Sequence, residues 1–207
     1  MYIPSSFKEE NEAILFDFIE EFNFGILFSS HEAKDQATHL PFLLDRKRGD
    51  RGTLIAHFAR ANKHWAEINE EGEVLCVFHG PHGYISPSWY KQRETVPTWN
   101  YSAVHIYGTP KIIEDTNELA NMVTQLTQYH ESQIETDWSL KEGEHKFESL
   151  LKAIVGIEIE IKTIEGKFKF NQNRSKEDQQ GVIDHLDDSV SPGVKDIMKK
   201  NLISGNS

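Results

Sequence analysis

The run HFARANKHW, residues 57–65, places Arg60, Asn62 and Lys63 where a strand gives way to a helix. Free N–H groups at a helix start, and the positive end of its dipole, favour an anion. Arginine brings a planar fork of donors and lysine a point charge, a combination suited to phosphate. Asn62 fits either as the helix N-cap or as a direct donor. The same residues also fit an ordinary capped helix with solvated basic groups. One strand earlier, THLPF holds His39 and Pro41. Pro41 cannot donate to a sheet ladder, so its strand belongs at an edge or where the backbone faces a ligand. If that strand neighbours the one carrying His57, then His39, Pro41 and His57 surround one pocket shaped for a flat heteroaromatic ring. A third stretch, VPTWNY (96–101), offers Thr98 and Asn100 as hydrogen-bonding groups and Trp99 and Tyr101 as flat walls. Strand alternation puts the two pairs on opposite faces. One pair can then meet a ligand while the other packs a subunit interface or the core.

Other chemistries find no support. No glycine-rich dinucleotide fingerprint, P-loop or nucleophile elbow is present. The ten histidines invite a metal, but HExxH and CxxC spacings are absent. His79 and His82, three apart in a strand-like run broken by Gly-Pro, are expected on opposite faces. The formal charge of −11 sets the average field against a polyanion such as DNA. A lone cysteine, Cys76, lies in an apolar strand and reads as a small core residue in a reducing compartment. With no leader-like start and no apolar run of about 20 residues, the expectation is a cytoplasmic protein without membrane contact.

The elements that position these residues are mostly strands. A capping box at Ser6 and Glu9 predicts a helix from Lys8 to Phe22. Strands follow over 24–30, 37–45 and 52–58, with a charged turn before the last. A short helix is predicted from the ARANKHW run to Gly72, then a strand over EVLCVFH. A further strand over 102–114 breaks at Gly108–Pro110. Asp115 and Glu118 form a second capping box for a helix to about His130, and FESLLKAIV (147–155) reads as another short helix. Strict alternation over 156–164 gives a half-buried antiparallel strand. Beyond it the chain turns polar, with two short amphipathic patches and a helix start at Ser191-Pro192. Six or seven strands with helices at the ends suggest a mainly β, antiparallel barrel with flanking α elements. The expected division is a barrel domain over residues 1–165 and a C-terminal helical extension over 166–207, packing on the barrel or on a partner subunit.

Six stretches together, MYIPSSF, THLPFLLD, AHFARANKHW, GPHGYISPSWY, VPTWNYSAVHIYG and EGKFKFNQNR, resemble the PaiB-type family of FMN-binding negative transcriptional regulators. The match runs from residue 1 to about 186. It implies an antiparallel split β-barrel of FMN-binding type, similar to pyridoxamine phosphate oxidases, assembled as a homodimer with flavin at the subunit interface. By that resemblance Arg60, Asn62 and Lys63 hold the FMN phosphate, and His39, Pro41, Ala56 and His57 lie along the isoalloxazine. Thr98, Trp99 and Asn100 come from the interface, and Lys167 and Arg174 approach the cofactor from the tail. The implied role is repression of sporulation and protease-synthesis genes, through flavin and a possible protein partner. Direct DNA reading is disfavoured, because the tail helices carry acidic residues beside Lys195, Lys199 and Lys200. The alternative is a flavin-dependent oxidoreductase or a haem-handling split-barrel protein, with haem as the alternative cofactor. His39, His57, His82 and His105 then suit acid–base work by titration range. No residue is assigned a catalytic role.

Overall fold

Strands are the commonest regular element among the described residues, formed by short apolar or alternating runs. The computed structural model describes residues 1–31, 34–138, 146–147 and 149–204. Its strands are β1 (Lys8–Glu9), β2 (Phe24–His31), β3 (Lys34–Pro41), β4 (Leu43–Asp45), β5 (Thr53–Ala59), β6 (Val74–Ile85), β7 (Thr98–Ile113) and β8 (Ile154–Lys169). Among the described residues the α-helices are α1 (Glu12–Glu21), α2 (Thr116–Glu131), α3 (Lys176–His185) and α4 (Val194–Ser204). Sheet order is β3-β2-β6-β7-β8-β5-β4, with β1 paired to the far end of β8 through Lys8 and Lys167. β2 and β3 form a hairpin in which Phe24 faces Pro41 and Ile26 faces His39. β3 is an edge strand, so Pro41 removes no interior ladder bond.

The chain divides into two compact units. One comprises Met1–Leu15, His79–Val104 and the chain from Glu165 on. Its core gathers Ile85, Tyr90 and Phe170 around Val182, Ile183 and Met198 of α3 and α4. The other comprises Phe16–Phe78 and His105–Ile164. There α2 lays Leu119, Met122 and Leu126 against Ile55 of β5 and Ile113 of β7.

Several local expectations change, each for a tertiary reason. Residues Ser5–Phe7 form a 3-10 turn, and the next two join the sheet as β1. The first helix therefore starts at Glu12, with Asn11 Oδ1 accepting from Ala13 N–H in place of a cap by Ser6. The strand predicted over 37–45 splits at Phe42, whose N–H turns to the Asn23 carbonyl at 2.8 Å. The helix expected to Gly72 is only a 3-10 helix, Lys63–Glu67. β7 runs unbroken through Gly108 and Pro110. Gly108 serves close approach, since a Cβ there would sit 2.5 Å from the Glu160 carbonyl of β8. α4 begins at Val194, two residues beyond Pro192, after Gly193 at φ +76°. The helix expected over 147–155 falls partly outside the described residues; from Ile154 onward that stretch is already β8.

Asp115 caps α2 as expected. Its carboxylate accepts from the N–H groups of Asn117 and Glu118 at 2.9 and 3.0 Å. Glu118 does not reach back but faces Lys111 instead, at 3.7 Å. Asp115→Ala is expected to lower stability by about 1 kcal/mol, read as a lower denaturant midpoint with unchanged slope.

Candidate functional site

The predicted phosphate corner sits at the end of β5. Arg60 is held on three sides: Nη1 donates to Glu114 at 2.7 Å, Nε to the Lys152 carbonyl at 3.1 Å and Nη2 to the Ile154 carbonyl at 3.0 Å. Its guanidinium also lies 5.7 Å from the Trp65 ring centre. Three of its roughly five N–H donors are thus spent within the chain. Asn62 acts as the cap of the short 3-10 helix, accepting from His64 N–H at 3.1 Å, and its amide donates to Thr38 Oγ1 at 3.1 Å. Lys63 is exposed and has no partner among the described residues. Of the three basic or amide groups, Lys63 is the one whose donors remain free.

His64, which motif spacing did not single out, organises the corner. It is 2% exposed, with Nε2 2.8 Å from Ser29 Oγ and Nδ1 2.7 Å from Thr38 Oγ1. Thr38 Oγ1 also accepts from the Asn62 amide, so one hydroxyl ties the Asn62 and His64 side chains together. Burial holds the imidazole below its usual range, against a smaller opposing pull from Glu67.

The proposed ring-binding surface has an unexpected member. His39 is exposed and stacks on Phe24, with centroids 6.1 Å apart and planes at 28°. Phe24 is itself 64% exposed and directly opposite Pro41. An aromatic residue at a strand start, opposite a proline, was the available signal for it. His57 lies on β5 opposite Gly156, half-buried, with Nδ1 buried and unpartnered. Burial pushes its pKa down. Among the described residues β3 and β5 are not laddered neighbours, so no strand pairing brings His57 beside His39 and Pro41 as the sequence reading required.

The remaining predicted residues belong to the other unit. Alternation on β7 holds: Asn100 is fully buried and Trp99 is 54% exposed. Asn100 turns inward to Met198 of α4, Nδ2 to Sδ 3.4 Å, while its Oδ1 has no partner. Thr98 Oγ1 accepts from Lys169 at 2.5 Å. Lys167 donates to the Tyr2 carbonyl at 3.1 Å, and its ammonium lies 5.0 Å from the Tyr101 ring centre. Arg174 donates to Thr95 Oγ1 at 2.9 Å and covers the Tyr90 ring at 4.9 Å. Lys169 was passed over, although its place two residues after Lys167 on an alternating strand puts both on one face.

His79 and His82 do not diverge as strand parity implied. Exposure along β6 slips phase around Pro81, and the two rings meet edge to face at 4.8 Å. His82 and Tyr84 in turn approach Trp99, at 6.4 and 5.9 Å. Among the described residues no three potential ligands gather as a metal site would need. No helix among them is long and apolar enough to cross a membrane. Surface depressions of about 250, 400 and 310 Å³ lie elsewhere, lined by none of the residues predicted for the cofactor.

Comparison with known proteins covers nearly the whole chain. A family profile described as "Putative FMN-binding domain" matches residues 1–163. The Bacillus subtilis "Protease synthase and sporulation protein PAI 2" is 39% identical over 197 residues, spanning 94% of this chain and 93% of that protein. Among solved structures, a conserved hypothetical protein of Mycobacterium tuberculosis superposes with a TM-score of 0.59 at 13% identity, covering 84% of this chain and 92% of that one. An FAD- and haem-binding protein of Mycobacterium smegmatis gives 0.55 at 14% identity, covering 78% and 73%. At such identities these structures speak for the fold alone: a mainly antiparallel split β-barrel with flanking helices.

Proposed function

The chain belongs to the family described as "Putative FMN-binding domain", and from that premise we propose that it is an FMN-binding negative regulator of protease-synthesis and sporulation genes. The observation that carries the reading is the near full-length likeness to the Bacillus protein PAI 2, whose name joins protease synthesis to sporulation. The regulator works without chemical turnover, as a homodimer in the cytoplasm, through a protein partner rather than by reading DNA. Its net charge of −11 and the acidic residues of α3 support indirect action.

In this proposal the isoalloxazine lies on Phe24, His39 and Pro41 with His57 beside it. Lys63 meets the phosphate, while Arg60 and Asn62 hold the corner in shape. Thr98, Trp99, Lys167 and Arg174 come from the second copy, with Asn100 behind them on Met198. Trp99 and Tyr84, each about half exposed, supply aromatic surface for that association.

Purified protein is expected to be a dimer carrying yellow absorbance released by heat. Lys63→Ala should weaken FMN retention about tenfold, the scale of one charge-assisted contact. Failure to take up FMN at all ends the reading. Rapid oxidation of NADH or NADPH by the loaded protein moves it to the oxidoreductase class, and promoter binding that survives moderate salt replaces the indirect route. A haem absorption band in place of the flavin spectrum points to the haem-handling alternative.

A further inference from the structure

We infer that His79 and His82 form an open site for a late first-row divalent metal ion, copper(II) foremost. The two imidazoles meet on the outer surface of β6, with ring centroids 4.8 Å apart and planes at 67°. Two imidazoles on one ion, each bound through a nitrogen at about 2.0–2.1 Å, hold their centroids roughly 4.5 Å apart in square-planar geometry and roughly 5.2 Å apart in tetrahedral geometry. The observed spacing falls between the two. Neither ring has a hydrogen-bond or ion-pair partner among the described residues. Both are exposed, so each can turn about χ2 to aim a nitrogen at a shared point.

The backbone beneath the pair is held in place. Residues three apart on a regular strand face opposite ways, and the phase slip at Pro81 brings both rings to one face. Gly80 and Gly83 are buried. A Cβ at Gly83 would collide with Ser191 Oγ, and the Pro81 ring would lie 3.0 Å from a Cβ at Gly193. The Ser191–Gly193 turn thus braces from behind the run that joins the two histidines. The histidines and this turn belong to the same compact unit. A braced pair loses less entropy on ligation than one carried by a free loop.

The donor set selects the ion. Imidazole nitrogen favours copper(II), nickel(II) and zinc over magnesium or calcium, which prefer oxygen, and copper(II) ranks first. Among the described residues no group of three His, Cys, Asp or Glu gathers, so water fills the remaining positions. That makes the site exchangeable and responsive to metal concentration, unlike a resident centre. It also lies beside aromatic surface, with the Trp99 ring 6.4 Å from that of His82 and Tyr84 5.9 Å from Trp99. An occupied site puts a dication at the rim of that surface, in a chain of formal charge −11.

The site does not rest on the flavin reading, and its test uses the full chain without an affinity tag. Copper(II) and nickel(II) chlorides are titrated separately, with magnesium chloride as the oxygen-seeking control. Equilibrium dialysis and tryptophan fluorescence are the readouts. Wild-type protein is expected to take one copper(II) per chain at micromolar concentration, nickel(II) more weakly and magnesium not at all. Emission should fall as copper(II) binds, because the ion quenches the neighbouring Trp99. His79→Ala and His82→Ala, both at exposed positions, should each weaken copper(II) at least tenfold. Trp99→Phe should remove most of the quenching while leaving the dialysis isotherm unchanged. The inference is overturned by copper(II) spread over several weak sites, by binding indifferent to either histidine variant, or by quenching that survives Trp99→Phe. Each of these outcomes can be read whether or not the protein takes up FMN.

Discussion

Replacing His64 by alanine is expected to cost about 2–4 kcal/mol of folding stability, read as a lower urea midpoint with an unchanged slope. The imidazole joins Ser29 on β2 to Thr38 on β3, and its ring meets Phe58 edge-on at 5.6 Å. Truncation leaves two hydroxyls short of a partner, each worth about 1–3 kcal/mol when buried, and removes an aromatic contact worth about 0.5–1.5. Water entering the gap recovers part of the loss, which sets the middle of the range. The pH dependence follows from the lowered pKa. The folded protein keeps His64 neutral where the unfolded chain, with its usual pKa near ~6.5, already binds a proton. Stability is therefore complete above that value and falls as acidity increases toward the folded pKa. His57 and His79, also pushed down chiefly by burial, add to the same slope. His64→Ala should make the decline between neutrality and about pH 5 shallower, since one of the three contributors is gone. An equal slope in both proteins would show that His64 is not held neutral, and wild-type stability that rises on acidification would reverse the assignment.

What the amino-acid pattern revealed, and what it hid, can be traced to particular residues. Strict apolar alternation located β8, because burying one face is a local requirement, and short apolar runs located β2, β5 and β7. Asp115 announced α2, because a cap binds its own helix. Ser6 and Glu9 carried the same signature and misled. The chain there is taken by β8, more than 150 residues away, and no local code records that pairing. Gly108–Pro110 looked like a break for the same reason: its glycine answers to a neighbouring strand, not to a turn. The phase slip that brings His79 onto His82 was equally invisible to a period-two count.

Site chemistry divides along similar lines. Residue types pointed to candidate places, but not to which donors would be free. Arg60 looked like a phosphate fork, yet its partners Glu114, Lys152 and Ile154 lie 54 to 94 residues away. Asn62 and His64 are spent on the hydroxyl of Thr38 in a different strand.

Asn171→Ala should cost about 2–4 kcal/mol, and the cost separates into two parts. The first is backbone: Asn171 sits at φ +64°, a left-handed conformation that asparagine tolerates and alanine resists by about 1 kcal/mol. The second is a buried hydrogen bond, Nδ2 to the Tyr90 hydroxyl at 2.8 Å, with both residues 3% exposed. The same turn closes through Arg174 N–H to the Asn171 carbonyl at 2.9 Å, and the Arg174 guanidinium then covers the Tyr90 ring. Tyr90 is thus pinned at its hydroxyl and on its face while its ring packs among the α3 and α4 side chains. Asn171→Gly relieves the backbone part and keeps the other, so it should fall between wild type and alanine. Tyr90→Phe removes the other end of the hydrogen bond, and the double variant Asn171→Ala/Tyr90→Phe should be less damaged than the sum by about 1 kcal/mol. Additive losses would deny the hydrogen bond, and a glycine variant as stable as wild type would leave backbone strain as the whole effect. A middle value for glycine, together with the coupling, would mean that the NQNR run holds α3 against Tyr90, and that this run of the family-like motif answers first to folding.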